Sequence, residues 1–335
     1  MSAEPPKKTR NQLVRDLILI AVLGLICLQV FRWQTLAFEA TWMSLKGSVM
    51  GLALQDHLRW GAICNSVGNY RCSEKHFRQA YQKAPKNIPA LGNLAVALSR
   101  ENKDQEANAS FEKYFQLGGL AYDVMFFYAQ HLLKEEKVQD AISWMYRSLS
   151  VHTSNQSVAN QLLDHLAIEG RYYESLSLAG SLMRMDLGLK DFWTLKFEGL
   201  LQQLEARGSS EKDQIRIPSL DANTYLVPAR FDNRSQWTLF AVDQGEPMTY
   251  VNEETLSKWS LREFEDLIER RRGSKEQVTF EIPQMQVGPW LIENVKAVLC
   301  ESCPLKLGQS AFDRIEVQKG QDQLMDYIFI QKSEL

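Results

Sequence analysis

The chain is short of net positive charge, of histidine and of cysteine, and each shortage removes a class of function. Its 38 Lys and Arg stand against 41 Asp and Glu, a net charge of -3. No basic field of the kind that gathers on phosphate backbones can follow from that balance, so nucleic acid is not an expected partner. The five His and five Cys do not cluster at zinc-ligand spacing. Cys300-Glu-Ser-Cys303 could be half a zinc site, a redox motif or a loop disulfide, and neither a second Cys-x-x-Cys nor a His cluster accompanies it. No metal or other cofactor is expected. Low-complexity composition is also missing: 45% hydrophobic and 24% charged residues exclude disorder over most of the length. At 335 residues the chain is long enough for two or three domains of ~100–150 residues each.

One apolar run stands out, Leu17 to Phe31 in "RDLILIAVLGLICLQVFRWQ", flanked by Arg15, Arg32 and Trp33. Snorkelling arginines and an interfacial Trp suit a single spanning helix. The stretch after it, "RWQTLAFEATW", has no Ala-x-Ala cleavage pattern, so the run reads as a retained anchor rather than a signal peptide. Lys7, Lys8, Arg10 and Arg15 precede it while Arg32 and Lys46 follow, which predicts a cytoplasmic N-terminus and a periplasmic bulk on a bacterial inner membrane. Outside the run, the other four cysteines form two near pairs, Cys64 with Cys72 and Cys300 with Cys303, as candidate disulfides of an oxidising compartment.

From about Leu54 to Met185 the sequence repeats. Small residues fall at Ser73, Ala107, Ala141 and Ser175, an interval of 34. Bulky positions keep step at Phe77, Phe111 and Met145, and at Trp60, Leu94, Tyr128 and Leu162. Gly68, Asn102, Glu136 and Gly170 hold the place where one helix must turn into the next. A helix–turn–helix unit with this period buries its apolar face only against its neighbours. The first unit, with Trp60-Gly61, Gly68-Asn69-Tyr70, Phe77, Ala80 and Pro85, resembles a tetratricopeptide repeat. That resemblance implies about four repeats, a closing amphipathic helix in "KDFWTLKFEGLLQQLEARG", and a protein or peptide partner held on the inner face, with Asn93, Tyr128 and Asn160 as groove candidates.

After Gly208-Ser209-Ser210 the period changes to short β-branched and aromatic runs separated by Pro and Gly, which predicts a small barrel or sandwich. "EETLSKWSLREFEDLIERRRG" is an exception, with acidic residues at its start, Arg270 to Arg272 near its end and Gly273 after them, the signals of a helix. "LFAVDQG" (239–245) and, later, "LKLGQSAF" (305–312) together resemble the two motifs of a retropepsin-type aspartic protease in its single-domain bacterial form, over about Ile215 to Ile330. The resemblance implies that Asp243 is the catalytic carboxylate, supported by Gln244, Gly245, Leu307 and Gly308, and that it meets its own copy at the axis of a homodimer. Two facing carboxylates share one proton and activate water between them. The chain departs from the family pattern at Gln244, where Thr or Ser is usual, and at Lys306, where an apolar residue is usual. Its one flap-like glycine is Gly273.

The expected organisation is therefore α+β and multidomain. Residues 1–16 form a cytoplasmic tail, 17–33 a transmembrane helix, 34–53 a juxtamembrane segment, 54–207 an all-α tetratricopeptide-repeat solenoid, and 208–335 a mainly-β retropepsin-like barrel. Two functions stay open: an aspartic endopeptidase whose repeats recruit its substrate, and a non-catalytic adaptor in which the protease fold binds a peptide or dimerises.

Overall fold

The computed structural model describes Gly24 and residues 51–333, except 222–223, 232–234, 260–261, 274–277, 313–314 and 323–324. The chain divides into two compact units, Met1–Leu120 and Ala121–Leu335.

The first unit holds two helical hairpins, α1 (Leu54–Ser66) with α2 (Tyr70–Lys83) and α3 (Ile88–Arg100) with α4 (Asp104–Gln116). The second begins with two more, α5 (Tyr122–Lys134) with α6 (Val138–Val151) and α7 (Gln156–Ile168) with α8 (Tyr172–Met185), followed by α9 (Lys190–Arg207). The 34-residue period has a direct physical meaning. Ser73, Ala107, Ala141 and Ser175 are all fully buried, because a larger side chain there would hold the two helices of the hairpin apart. The turn residues Gly68, Asn102, Glu136 and Gly170 all adopt left-handed backbone, with φ of 74°, 57°, 60° and 74°. Only Gly does so without steric cost, so Asn102 and Glu136 are held there by the hairpins they close. Asn69, Asn87 and Asn155 each accept a backbone N–H at the start of a helix.

No helix among the described residues is long and apolar enough to cross a membrane. A span takes ~20 mainly apolar residues, whereas α9, the longest described helix, has 18 and carries Lys190, Asp191, Lys196 and Glu198. The expected transmembrane element of the fold class is corrected accordingly, and the single-pass inner-membrane placement and the periplasmic location built on it are withdrawn. Residues 17–33, which carried that expectation, lie outside the described residues apart from Gly24.

The strands form two sheets. Six close into a barrel in the order β2 (Leu226–Arg230), β3 (Thr238–Val242), β7 (Lys306–Leu307), β4 (Thr249–Asn252), β6 (Trp290–Cys300) and β5 (Val278–Val287). The other three, β1 (Gln214–Pro218), β9 (Met325–Lys332) and β8 (Ile315–Asp322), make an antiparallel sheet in that order. Phe240, Val251, Ile282, Met285, Val295, Ala297 and Leu307 form the dry centre of the barrel. The β5–β6 ladder steps from Ile282↔Val295 to Gln284↔Glu293, leaving Pro283 opposite Asn294. Pro283 has no N–H to give, and Asn294 turns left-handed with φ of 57°, so the ladder is interrupted there without a change of register.

The helix expected across residues 253–273 is two helices, α10 (Glu253–Lys258) and α11 (Arg262–Gly273). Trp259 ends the first, buried against Phe231 and Phe240. Within this unit α8 is the element on which the barrel rests. Its residues Tyr172 to Leu182 are all buried, and Gly180 admits Leu239 of β3, whose Cδ1 lies 2.1 Å from where a Cβ would stand.

Candidate functional site

The stretches 239–245 and 305–312 come together. Asp243 follows β3, and its backbone N–H donates to the Leu307 carbonyl at 3.0 Å, because β3 and β7 run parallel there. Its Oδ1 accepts the Gly245 N–H at 3.1 Å, which closes a tight turn. The second motif packs onto that turn. Gln309 donates its N–H to the Glu246 carbonyl at 2.8 Å and its Nε2 to the Gln244 carbonyl at 3.0 Å. Gly308 sits where a Cβ would come within 2.2 Å of the Met248 carbonyl oxygen and 2.7 Å of that of Glu246. Backbone cannot move aside cheaply, so this approach requires glycine.

Gln244 is exposed. Lys306 gives the loop its charge state. Its Nζ lies 2.9 Å from Asp243 Oδ2 and 3.6 Å from Glu246 Oε1, with both its side chain and that of Asp243 about one-third exposed. The hydrogen bond from Lys306 holds the Asp243 carboxyl below the ordinary carboxylate range, and the same bond raises the Lys306 ammonium. Gly273 is the last residue of α11, and the next described residue is Val278, which opens β5.

The sulfurs of Cys64 and Cys72 are joined across the first hairpin, with Cα atoms 5.7 Å apart. Cys300 and Cys303 are joined at the end of β6, with Cα atoms 5.8 Å apart. The Cys303 carbonyl accepts a bond from Asn252 Nδ2 at 3.2 Å, which ties this loop to β4. Of the three groove candidates, Asn93 and Asn160 are half-buried, while Tyr128 is 9% exposed and packs edge-on against Trp144. Tyr128 is thus a packing residue. On the first hairpin a groove of about 790 Å³ is lined by Trp60, His57, His76 and the cations Arg71, Lys75 and Lys83. Trp60 stacks on His76 at 4.6 Å, and burial lowers the imidazole of His76 to about 4.

A second charged constellation was not expected from the sequence. Glu174, on the first turn of α8, is fully buried and accepts from Tyr146 Oη at 2.8 Å and from Arg171 Nε at 2.8 Å. Glu211, from the segment that precedes β1, accepts the backbone N–H of Tyr173 at 2.7 Å and of Glu174 at 3.1 Å, so it caps α8. Burial and then the neighbouring Glu174 carboxylate push Glu211 up to about 7; burial also raises Glu174. A signal for half of this cluster was present. Lys103 with Glu106, Lys137 with Asp140, and Arg171 with Glu174 repeat a basic residue and an acidic one three places later at the 34-residue interval. Nothing in the spacing announces Glu211, whose stretch "GSSEKDQ" reads as a linker.

No protein-family profile matches this chain, and no curated protein matches it. Solved structures resemble parts of it. A MamA protein shares 15% identity over 47% of this chain and 95% of its own, with a TM-score of 0.35. YrrB, a TPR protein with an unusual peptide-binding site, shares 17% over 49% and 89%, with a TM-score of 0.38. A retropepsin-like aspartic protease from Rickettsia conorii shares 17% over 36% and 93%, with a TM-score of 0.28.

Proposed function

We propose that this chain is a non-catalytic protein-binding adaptor. Its tetratricopeptide-like repeats take an extended acidic segment of a partner protein, and its C-terminal barrel is a retropepsin-like module silenced at its own aspartate. The observation that carries this reading is the contact between Lys306 and Asp243. An aspartic dyad works by keeping one of two carboxyls protonated, which requires a raised affinity for the proton. Lys306 acts in the opposite direction. The cationic, aromatic groove on the first hairpin supports the binding half of the reading.

A second reading, an aspartic endopeptidase built from Asp243 of two chains, draws support from the close packing of Gly308 on the Asp243 turn. It requires a homodimer and the adaptor does not. The full chain is incubated with a peptide library from acid to neutral pH, beside Asp243→Asn. The adaptor reading expects no cleavage by either protein. Cleavage by the parent that Asp243→Asn abolishes would establish the peptidase. For the binding half, a poly-glutamate peptide followed by fluorescence anisotropy should bind the parent and lose affinity in Lys75→Glu with Lys83→Glu. An absence of binding by the parent refutes an acidic partner.

A further inference from the structure

One face of the three-stranded sheet carries an arginine whose Nε has no hydrogen-bond partner. Alternation along the strands buries Ile215 and Ile217 of β1 and Ile328 and Ile330 of β9 on one face. It places Arg216, Tyr327 and Phe329 on the other. There the Arg216 guanidinium lies between two rings, 4.2 Å from the centroid of Tyr327 and 5.1 Å from that of Tyr146 on α6. Gly320, paired with Tyr327 across β8 and β9, makes room for this, because a Cβ there would stand 2.1 Å from the ring.

Contact with a ring stabilises the cation but supplies no acceptor for its N–H donors, which lie in the guanidinium plane. Nε is buried without a hydrogen-bond partner, and Arg216 forms no ion pair among the described residues. The neighbouring Arg171 is already committed to Glu174 and to Gln139 Oε1 at 3.1 Å. A cavity of about 420 Å³ opens beside Arg216, lined also by Asp140, Ser143, Arg171, Glu211 and Gln214. That size falls in the range of small-ligand sites, ~300–1,000 Å³.

We propose that this cavity is a carboxylate-binding site in which the edge of Arg216 receives the carboxylate of a small organic acid or of a peptide chain end. Two parallel N–H···O bonds match a guanidinium edge to one carboxylate. Asp140, Glu174 and Glu211 around the cavity oppose a dianion such as phosphate more strongly than a singly charged carboxylate, while Ser143 and Gln214 offer neutral partners to the rest of the ligand. The site is independent of Asp243 and of the groove on the first hairpin.

Titration calorimetry on the full chain tests it with four probes: propionate, a tri-alanine peptide, its C-terminal amide, and inorganic phosphate. At least one of the two carboxylate probes should bind saturably, and the amide should not. Binding of propionate would identify a free small acid as the source, and binding of the tripeptide alone a chain end. Arg216→Gln should weaken binding at least ~10-fold, a difference of about 1.4 kcal/mol. Ser143→Tyr, at a half-buried helix position on the cavity wall, takes up cavity space while leaving Arg216 in the chain, and should weaken it as much while the thermal midpoint stays near that of the parent. The proposal is overturned if neither carboxylate probe binds, if the amide binds as well as the acid, if phosphate binds more tightly than either carboxylate, or if affinity survives Ser143→Tyr.

Discussion

Asp243 and Glu211 are two carboxylates of the same compact unit, each accepting backbone N–H groups, yet their proton affinities are shifted in opposite directions. Asp243 is about one-third exposed and faces an ammonium, which favours its ionised form. Glu211 is buried beside a second carboxylate and is pushed up to about 7. The motif that draws the eye therefore holds the less tunable acid, and the group poised near neutrality lies in a stretch that reads as a linker. Neighbours, not motif membership, determine what a carboxylate can do.

The contrast is broken hardest at the buried side. Glu174→Ala leaves the Arg171 guanidinium and the Tyr146 hydroxyl without their partner, and breaking a buried pair in this way costs about 3–5 kcal/mol. Urea denaturation should show a loss of that size, and a change below ~1 kcal/mol would mean that water replaces the carboxylate. Next comes the exposed side, through Gly308→Ala. The new methyl meets the Met248 and Glu246 carbonyls, and overpacking of this kind costs about 1–3 kcal/mol. Its thermal midpoint should fall below that of Gly245→Ala, where the nearest group is the tip of Asp243 at 3.4 Å.

Acidity separates the two groups more finely. Glu211 binds its proton more tightly in the folded chain than at its ordinary value of 4.5. Its contribution to stability is thus fully present below that value and is lost as pH rises toward about 7, with a slope of at most ~1.4 kcal/mol per pH unit. Glu211→Gln should flatten this part of the stability–pH curve, and equal slopes in parent and variant would show that Glu211 titrates normally. The smallest effect belongs to Lys306→Met. As an ion pair with exposed partners it contributes less than ~1 kcal/mol. Asp243, lowered from 3.8, contributes stability above that value and loses it as pH falls through the folded-state value. Carboxyl NMR titration should move Asp243 upward in the variant, and an unmoved resonance would remove Lys306 as the cause.

The repeats were legible in the sequence because each hairpin demands the same small residue and the same left-handed turn, which the chain states four times. Ser73, Ala107, Ala141 and Ser175 could be placed by arithmetic alone, whereas an approach of Leu307 and Gly308 to the Asp243 turn was implied only by the family resemblance of the two stretches. The split of residues 253–273 into two helices was not legible, because it depends on Trp259 finding Phe231 and Phe240 from other segments. Lys306 stood out as a charge where an apolar residue is usual, and the structure makes it a one-third-exposed partner of Asp243. The cluster around Arg216 was invisible for a related reason: Tyr146, Arg216 and Tyr327 lie far apart in the chain, and only sheet register and helix packing bring their rings and guanidinium together.

The capping of α8 by Glu211 bears on how the chain can be divided. Composition changes sharply after Arg207, which makes that bond an attractive place to separate helices from strands. Glu211 lies beyond it and satisfies the first N–H groups of α8, while Ser209 and Ser210 reach back to the carbonyls of Gly170 and Glu169. A fragment ending at residue 207 would expose the start of its last repeat, and one beginning at 208 would carry a carboxylate with nothing to cap. The helical hairpins from Ala121 onward and the strands belong to one compact unit, so a cut at residue 207 divides that unit through its own hydrogen bonds.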